Sequence, residues 1–257
     1  MPIFRLSEEQ IDFPPARLSR SDGLLGIGGD LEPERLILAY KKGIFPWFSE
    51  NEPILWWSPD PRLVLFPKDI KISKSLRKTI HKDRFKIVVD RDFETTIHLC
   101  AKPRKEKNEG TWLVQEMIDA YIRLHHMGIA HSVETWCRDR LVGGLYGLHL
   151  GKAFFGESMF SLENDASKVA LVALANHLRT NGFHFIDCQV TSNHLINMGA
   201  VEIPRNSFLN LLHASIQEET CPEIWNPDEY LAPIPFENLH ETVHEVGKRP
   251  ISAIRRS

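Results

Sequence analysis

Cysteine is scarce in this chain: Cys100, Cys137, Cys188 and Cys221 are the only four, widely spaced and without a Cys-x-x-Cys pair. That spacing excludes a disulfide framework and a zinc knuckle, and reduced, buried thiols are expected. Long apolar runs are missing too: none approaches the ~20 residues a spanning helix needs. Met1-Pro2-Ile3-Phe4-Arg5 has no basic stretch leading into an apolar one, as a secretory signal would. A cytoplasmic protein without membrane contact is expected. Glycines 23, 26, 28 and 29 fit neither the dinucleotide fingerprint nor the Gly-Lys-Ser/Thr end of a phosphate loop, and read as turn glycines. Gly156-Glu157-Ser158-Met159-Phe160 lacks the second glycine of a nucleophile elbow, which argues against a Ser158 hydrolase.

The 257 residues are 42% hydrophobic and 25% charged, enough for a globular core plus a smaller lobe. Net charge is only −3, but it is segregated: residues 68–107 hold thirteen Lys/Arg against six Asp/Glu, +7 there and −10 elsewhere. The tract Lys68, Lys71, Lys74, Arg77, Lys78, Lys82 and Arg84, resumed at Lys102, Arg104, Lys105 and Lys107, is either a solvated face or a track for a phosphate backbone.

Asp30 is placed to cap a helix from Pro33 to Tyr40 that stops at Gly43, with proline near its start and glycine past its end. The prolines of Ser58-Pro59-Asp60-Pro61-Arg62 break the chain, so a small N-terminal domain, 1–62, is expected. Beyond it the pattern predicts strands at Leu63–Phe66 and Lys86–Val89 around a basic helix, Ser73–Lys82, then a helix from Leu113 to Met127. Three antiparallel strands follow, His131–Trp136, Arg140–Leu148 and Ala153–Phe160, then a helix from Ala166 to Thr180, a strand from Phe183 to Val190 and a short helix from His194 to Met198. This order is α+β and resembles the core of the acetyltransferase-like (GNAT-type) fold over residues 63–225, beside a smaller N-terminal α/β domain. From 226 to 257 the chain is acidic and rich in proline, and a poorly packed tail is expected.

In the strand from Phe183, alternation places Phe185, Asp187 and Gln189 on one face, the last two about 7 Å apart. An Asp and a Gln ending an apolar strand either meet hydrogen-bonding partners or line a pocket. Glu157 is a similar intrusion into the apolar run Phe154–Phe160. His240-Glu241-Thr242-Val243-His244 reproduces the His-Glu-x-x-His pattern of zinc proteases, but only Glu245 follows as a further ligand. A chance match and no metal are expected.

Several ordered motifs together resemble the leucyl/phenylalanyl-tRNA–protein transferases: Leu24 to Leu31, Gly43-Ile44-Phe45-Pro46-Trp47-Phe48, Trp56-Trp57-Ser58-Pro59-Asp60-Pro61-Arg62 and Gly110-Thr111-Trp112 in the first half. Gly156 to Ser161, Asn164 to Lys168, Ile186-Asp187-Cys188-Gln189-Val190 and Gly199 to Arg205 carry the resemblance to about residue 225. It implies an acetyltransferase-like domain and an enzyme needing no metal or coenzyme. The implied reaction moves Leu or Phe, and Met less readily, from aminoacyl-tRNA to proteins beginning with Lys or Arg, marking them for degradation. The resemblance places Asp187 and Gln189 beside the reacting amine, with Glu157 or Asp187 on the acceptor's cationic side chain. Leu145, Phe154, Met159, Leu174 and Ile186 correspond to the aminoacyl pocket, although periodicity alone makes them core. Trp47 and Trp112 correspond to the platform for the 3′-terminal adenosine. Lys71, Lys74, Arg77, Lys78, Lys82 and Arg84 are then expected along the tRNA backbone. A monomer is expected. Leu174 is smaller than the aromatic residue usual in the family, and the basic stretch 102–107 and the tail after about 232 depart from the family's length.

Two rival readings share these features. An acetyl-CoA enzyme would need a glycine-rich pyrophosphate loop where this chain has Met159 to Asp165. A non-catalytic tRNA-binding module would need the basic tract and tryptophans but not the Asp187/Gln189 pair.

Overall fold

Two sheets divide the chain close to Arg62 in this computed structural model, which describes residues 3–106 and 113–231. The first contains β1 (Phe4–Leu6), β2 (Leu24–Gly28), β3 (Phe45–Pro46) and β4 (Leu55–Trp57), in the order β1-β2-β4-β3, with helix α1 (Pro33–Lys41) packed on it. Proline at its first position starts α1. Asp30 is not its cap: Glu32 holds that position, while the Asp30 carboxylate accepts the Glu32 N–H at 2.9 Å and pairs with Arg35 at 3.0 Å. Gly43 ends the turn at φ +72°, where a Cβ would stand 2.6 Å from Leu209, so both conformation and space call for glycine.

The chain then supplies β5 (Arg62–Leu65), α2 (Lys74–His81), β6 (Lys86–Val89), α3 (Phe93–Glu106) and α4 (Gln115–His126). The meander β7 (Ala130–Cys137), β8 (Arg140–Leu150) and β9 (Ala153–Ser161) follows, then α5 (Ala166–Thr180), β10 (Phe185–Gln189), α6 (Asn193–Asn197), β11 (Val201–Ile203) and α7 (Arg205–Ser215). The seven-stranded sheet has the order β11-β5-β10-β9-β8-β7-β6, so the chain is α+β as its pattern predicts. Its pairs are antiparallel except β9 with β10, which α5 connects as a crossover.

Each face of this sheet is covered. One packs with α3, α4 and the N-terminal elements around Phe155, Tyr146 and Phe185; the other packs α5 over Val133, Leu145, Phe154 and Ile186. Helix α2 lays Leu76 and Ile80, one turn apart, toward the second face and turns its lysines outward. Helix α3 has no counterpart in the sequence reading, which leaves 93–101 unassigned and takes 102–107 as a loop; residues 102–106 are its last turns.

Residues 226–231 are not the loose start of a tail: Asp228 and Leu231 donate backbone hydrogen bonds to Val89 and Ile87 of β6. Trp112 and the His240–His244 match lie outside the described residues. Among those residues no cluster of His, Cys, Asp and Glu is placed to hold a metal ion. No helix among them is long and apolar enough to cross a membrane. All four cysteines are free, but only Cys100 is buried; Cys137 and Cys188 are half-buried and Cys221 is exposed, because they fall on strand ends and a loop rather than in the core.

Candidate active site

Strands β9 and β10 stay paired only through Phe155 and Asp187. Beyond that point β9 runs on to Ser161 beside β8, whereas β10 turns away, and the gap opens a cavity of about 370 Å³. Gly156–Met159 form one wall and Cys188–Val190 the other, with Phe45–Trp47 from the first sheet at the rim. Leu145, Phe154, Met159, Leu174 and Ile186 all line it, as do Glu157, Gln189 and Trp47. A mostly apolar cavity with a few polar groups in its walls is the usual form of a small-molecule site.

The turn of β10 is made by Gln189, whose φ of +64° lies in the left-handed region, and the β5–β10 register shifts between Asp187 and Gln189. A non-glycine residue there costs about 1–2 kcal/mol. The compensation is local, since Asp187 Oδ1 accepts the Gln189 backbone N–H at 2.9 Å. The turn also interrupts the alternation that would keep both side chains on one face. Gln189 reaches the cavity; Asp187 does not line it.

Asp187 is enclosed instead with Arg62 of β5. The guanidinium Nε and Nη2 donate to its two oxygens at 2.8 and 2.6 Å, with side chains 1% and 0% exposed. Phe45 and Phe208 lie against that guanidinium, 4.7 and 4.5 Å from ring centre to Cζ. A bidentate pair stacked between rings suits arginine alone among the cations.

Glu157 gathers the remaining polar groups. Its Oε1 accepts from Tyr40 Oη at 2.7 Å and from Gln189 Nε2 at 2.6 Å, and its Oε2 from Tyr121 Oη at 3.0 Å. The two phenol oxygens also approach each other closely; each has a single proton, so while both donate to Glu157 neither donates to the other. Burial raises the Glu157 carboxyl to about 7, against the donors Tyr40, Tyr121 and Gln189 and with help from the Asp187 charge. Burial, reinforced by the Glu157 charge, keeps both phenols well above their ordinary range, so they remain donors. The Gln189 amide turns its NH₂ to Glu157, so its Oε1 is left for a ligand. Tyr40, Tyr121 and Arg62 were not recognised from sequence: single polar residues on α1, α4 and β5, they gain meaning only when folding brings them to Glu157 and Asp187.

At the rim Trp47 is 39% exposed and tilted against Trp57, ring centres 5.6 Å apart. Lys71, Lys74, Lys78, Lys82 and Arg84 are exposed on and around α2, whereas Arg77 is half-buried and Arg84 is paired with Glu163 at 3.1 Å.

The cavity thus sets apolar walls beside a buried carboxylate and amide, the form of a small-molecule site. Residues 64–213 match the sequence model of the leucyl/phenylalanyl-tRNA protein transferases, and residues 29–60 that of their N-terminal domain. The leucyl/phenylalanyl-tRNA–protein transferase of Syntrophobacter fumaroxidans is 56% identical over 225 residues, covering 88% of this chain and 96% of that one. That of Desulforapulum autotrophicum is 54% identical over 225 residues, covering 88% and 98%. A solved structure, L-PGS from Bacillus licheniformis, overlaps 80% of this chain and 65% of its own at 12% identity, with a TM-score of 0.38. The chain belongs to the leucyl/phenylalanyl-tRNA–protein transferase family and is an aminoacyltransferase.

Proposed function

We propose that the protein transfers Leu or Phe, and Met less readily, from the 3′ end of aminoacyl-tRNA to the N-terminal α-amine of proteins beginning with Lys or Arg, marking them for degradation. The observation that carries this reading is an apolar cavity beside the Glu157–Gln189 pair, room for an apolar side chain next to a group that can receive an amine. Leu145, Phe154, Met159, Leu174 and Ile186 would hold that side chain, and Trp47, with Trp112, would stack on the terminal adenosine. Lys71, Lys74, Lys78 and Lys82 would follow the tRNA backbone through phosphates, with lesser parts for Arg77, which is half-buried, and Arg84, which is exposed but paired with Glu163.

The ester linkage of an aminoacyl-tRNA is already activated. The neutral α-amine, with a pKa near 8, attacks the ester carbonyl carbon; a C–N bond forms, the ester C–O bond breaks, and the proton lost by nitrogen ends on the departing ribose oxygen. The protein chiefly positions the two substrates. Gln189 Oε1 accepts a hydrogen bond from the amine and directs its lone pair at the carbonyl. Glu157 orients the Gln189 amide and faces the acceptor's cationic side chain. Asp187, neutralised by Arg62, acts on the Gln189 backbone, not on the amide and not on the acceptor's charge. The reaction so written uses no metal and no coenzyme.

The meander, α5 and the parallel strand β10 support an acetyltransferase-like domain from 63 to 225 beside a small domain ending near 62. We read the enzyme as a cytoplasmic monomer. Labelling acceptors that begin with Lys, Arg or Ala from Leu-tRNA tests the acceptor rule. Label on the Lys and Arg proteins alone is expected; equal label on the Ala protein would contradict it.

A further inference from the structure

Trp225 lies beyond the residues matched by the family's sequence model, at the end of the short 3₁₀ turn Pro222–Trp225. Its indole is 5% exposed and enters the sheet face that α5 covers. There it stacks on His131, ring centres 4.3 Å apart and planes at 9°, and meets His149 at 5.6 Å and His177 of the last α5 turn at 5.3 Å. Burial holds His149 down to about 3 and lowers His177, so these two present neutral rings near pH 7. The segment that follows is fastened to β6: Asp228 N–H donates to Val89 at 2.9 Å and Leu231 N–H to Ile87 at 3.0 Å, while Arg91 pairs with Asp228 at 2.6 Å. The indole is therefore held both by its ring neighbours and by the strap that carries it.

One neighbour links this anchor to the reaction. The Phe154 ring lies 5.6 Å from the indole at 31°, is wholly buried, and is a wall of the cavity. Register pairs His149 with Phe154, so two cross-strand rings meet the same indole. In a close-packed interior a ring backed in this way cannot retreat without overlapping the indole behind it. Remove the backing, and the wall gains room to yield toward the strap.

We propose that Trp225 is a positioning residue for donor selection: acting through Phe154, it sets the depth of the cavity and so the relative use of leucyl and phenylalanyl donors. This rests on the cavity being the aminoacyl pocket. A size difference of about one carbon is worth roughly 10- to 200-fold in discrimination, so a modest shift of one wall is measurable.

The test compares kcat/KM for Leu-tRNA and Phe-tRNA, with one Arg-starting acceptor, in the parent, Trp225→Phe and Trp225→Leu. The Phe/Leu ratio is expected to rise about tenfold in Trp225→Leu and to stay near the parent value in Trp225→Phe, which keeps an aromatic face. Equal loss with both donors, or an unchanged ratio, would reduce Trp225 to ordinary core. Should Trp225→Leu not fold, Trp225→His, with a smaller ring, carries the same comparison. A parent that used neither donor would overturn the proposed function and this inference together; a parent that used both, with variants at the same ratio, would overturn this inference alone.

Discussion

Arg62 and Asp187, 125 positions apart, form a two-pronged ion pair inside the large sheet at 2.8 and 2.6 Å. Breaking such a pair from one side leaves a buried charge uncompensated, at about 3–5 kcal/mol. Arg62→Met is therefore expected to lower unfolding stability by that amount in urea titration. Arg62→Lys keeps the charge but loses the fork and should fall between the two. Equal stability in all three proteins would show that the pair is dispensable.

Glu157 makes stability depend on pH. Its folded-state pKa of about 7 lies above the ordinary 4.5, so between those values the native state binds the extra proton. The sign follows: this contribution is complete below about pH 4.5, is lost as pH rises toward 7, and is constant above that. The loss amounts to about 3 kcal/mol. Glu157→Gln is expected to remove this slope, read as the difference between parent and variant in denaturant melts at pH 5 and pH 8. Parallel curves would contradict the burial argument.

Leu174, 1% exposed, lines the cavity from α5. Leu174→Phe adds volume to that wall and should lower the Phe/Leu ratio of kcat/KM by about tenfold, opposite in sign to Trp225→Leu. No change would remove the cavity from donor selection.

Exposed lysines around α2 should make tRNA binding dependent on salt. Each phosphate neutralised adds roughly 0.7 to 0.9 to the slope of log affinity against log salt concentration. Lys74→Ala combined with Lys78→Ala is expected to lower the slope by about 1 to 2 without changing preference among tRNAs. An unaltered slope would move the tRNA path elsewhere.

Much of the fold was legible because long periodic segments announce themselves. The α5 helix carries a long apolar pattern, the β7–β9 meander is punctuated by short turns at Arg138–Asp139 and Gly151–Lys152, and Ser73 caps α2 by accepting the Leu76 N–H at 3.2 Å. Helix α3 was missed because Pro103 and the charges after Lys102 dilute its last turns. Strand alternation put Asp187 and Gln189 on one wall, but left-handed backbone at Gln189 separates them, and no local pattern foretells that in a non-glycine residue. The cavity residues could be named only by resemblance; as an apolar pattern they are indistinguishable from core. The partners Tyr40, Tyr121 and Arg62 reach the site from distant segments, where short-range spacing has nothing to say. The strap along β6 falls in the stretch taken as tail because Pro227, Asp228 and Glu229 show no apolar period, and its bonds to β6 are made by backbone, which leaves no mark in the sequence.

The most direct test is transfer of radiolabelled Phe from Phe-tRNA to a protein beginning with Arg, without added metal or coenzyme, by the parent and by Gln189→Ala under single turnover at saturating substrates. The account predicts transfer by the parent and a rate at least about a hundredfold lower in the variant. Full rate in Gln189→Ala would contradict the site, and no transfer by the parent, with acetyl-CoA turned over instead, would contradict the function.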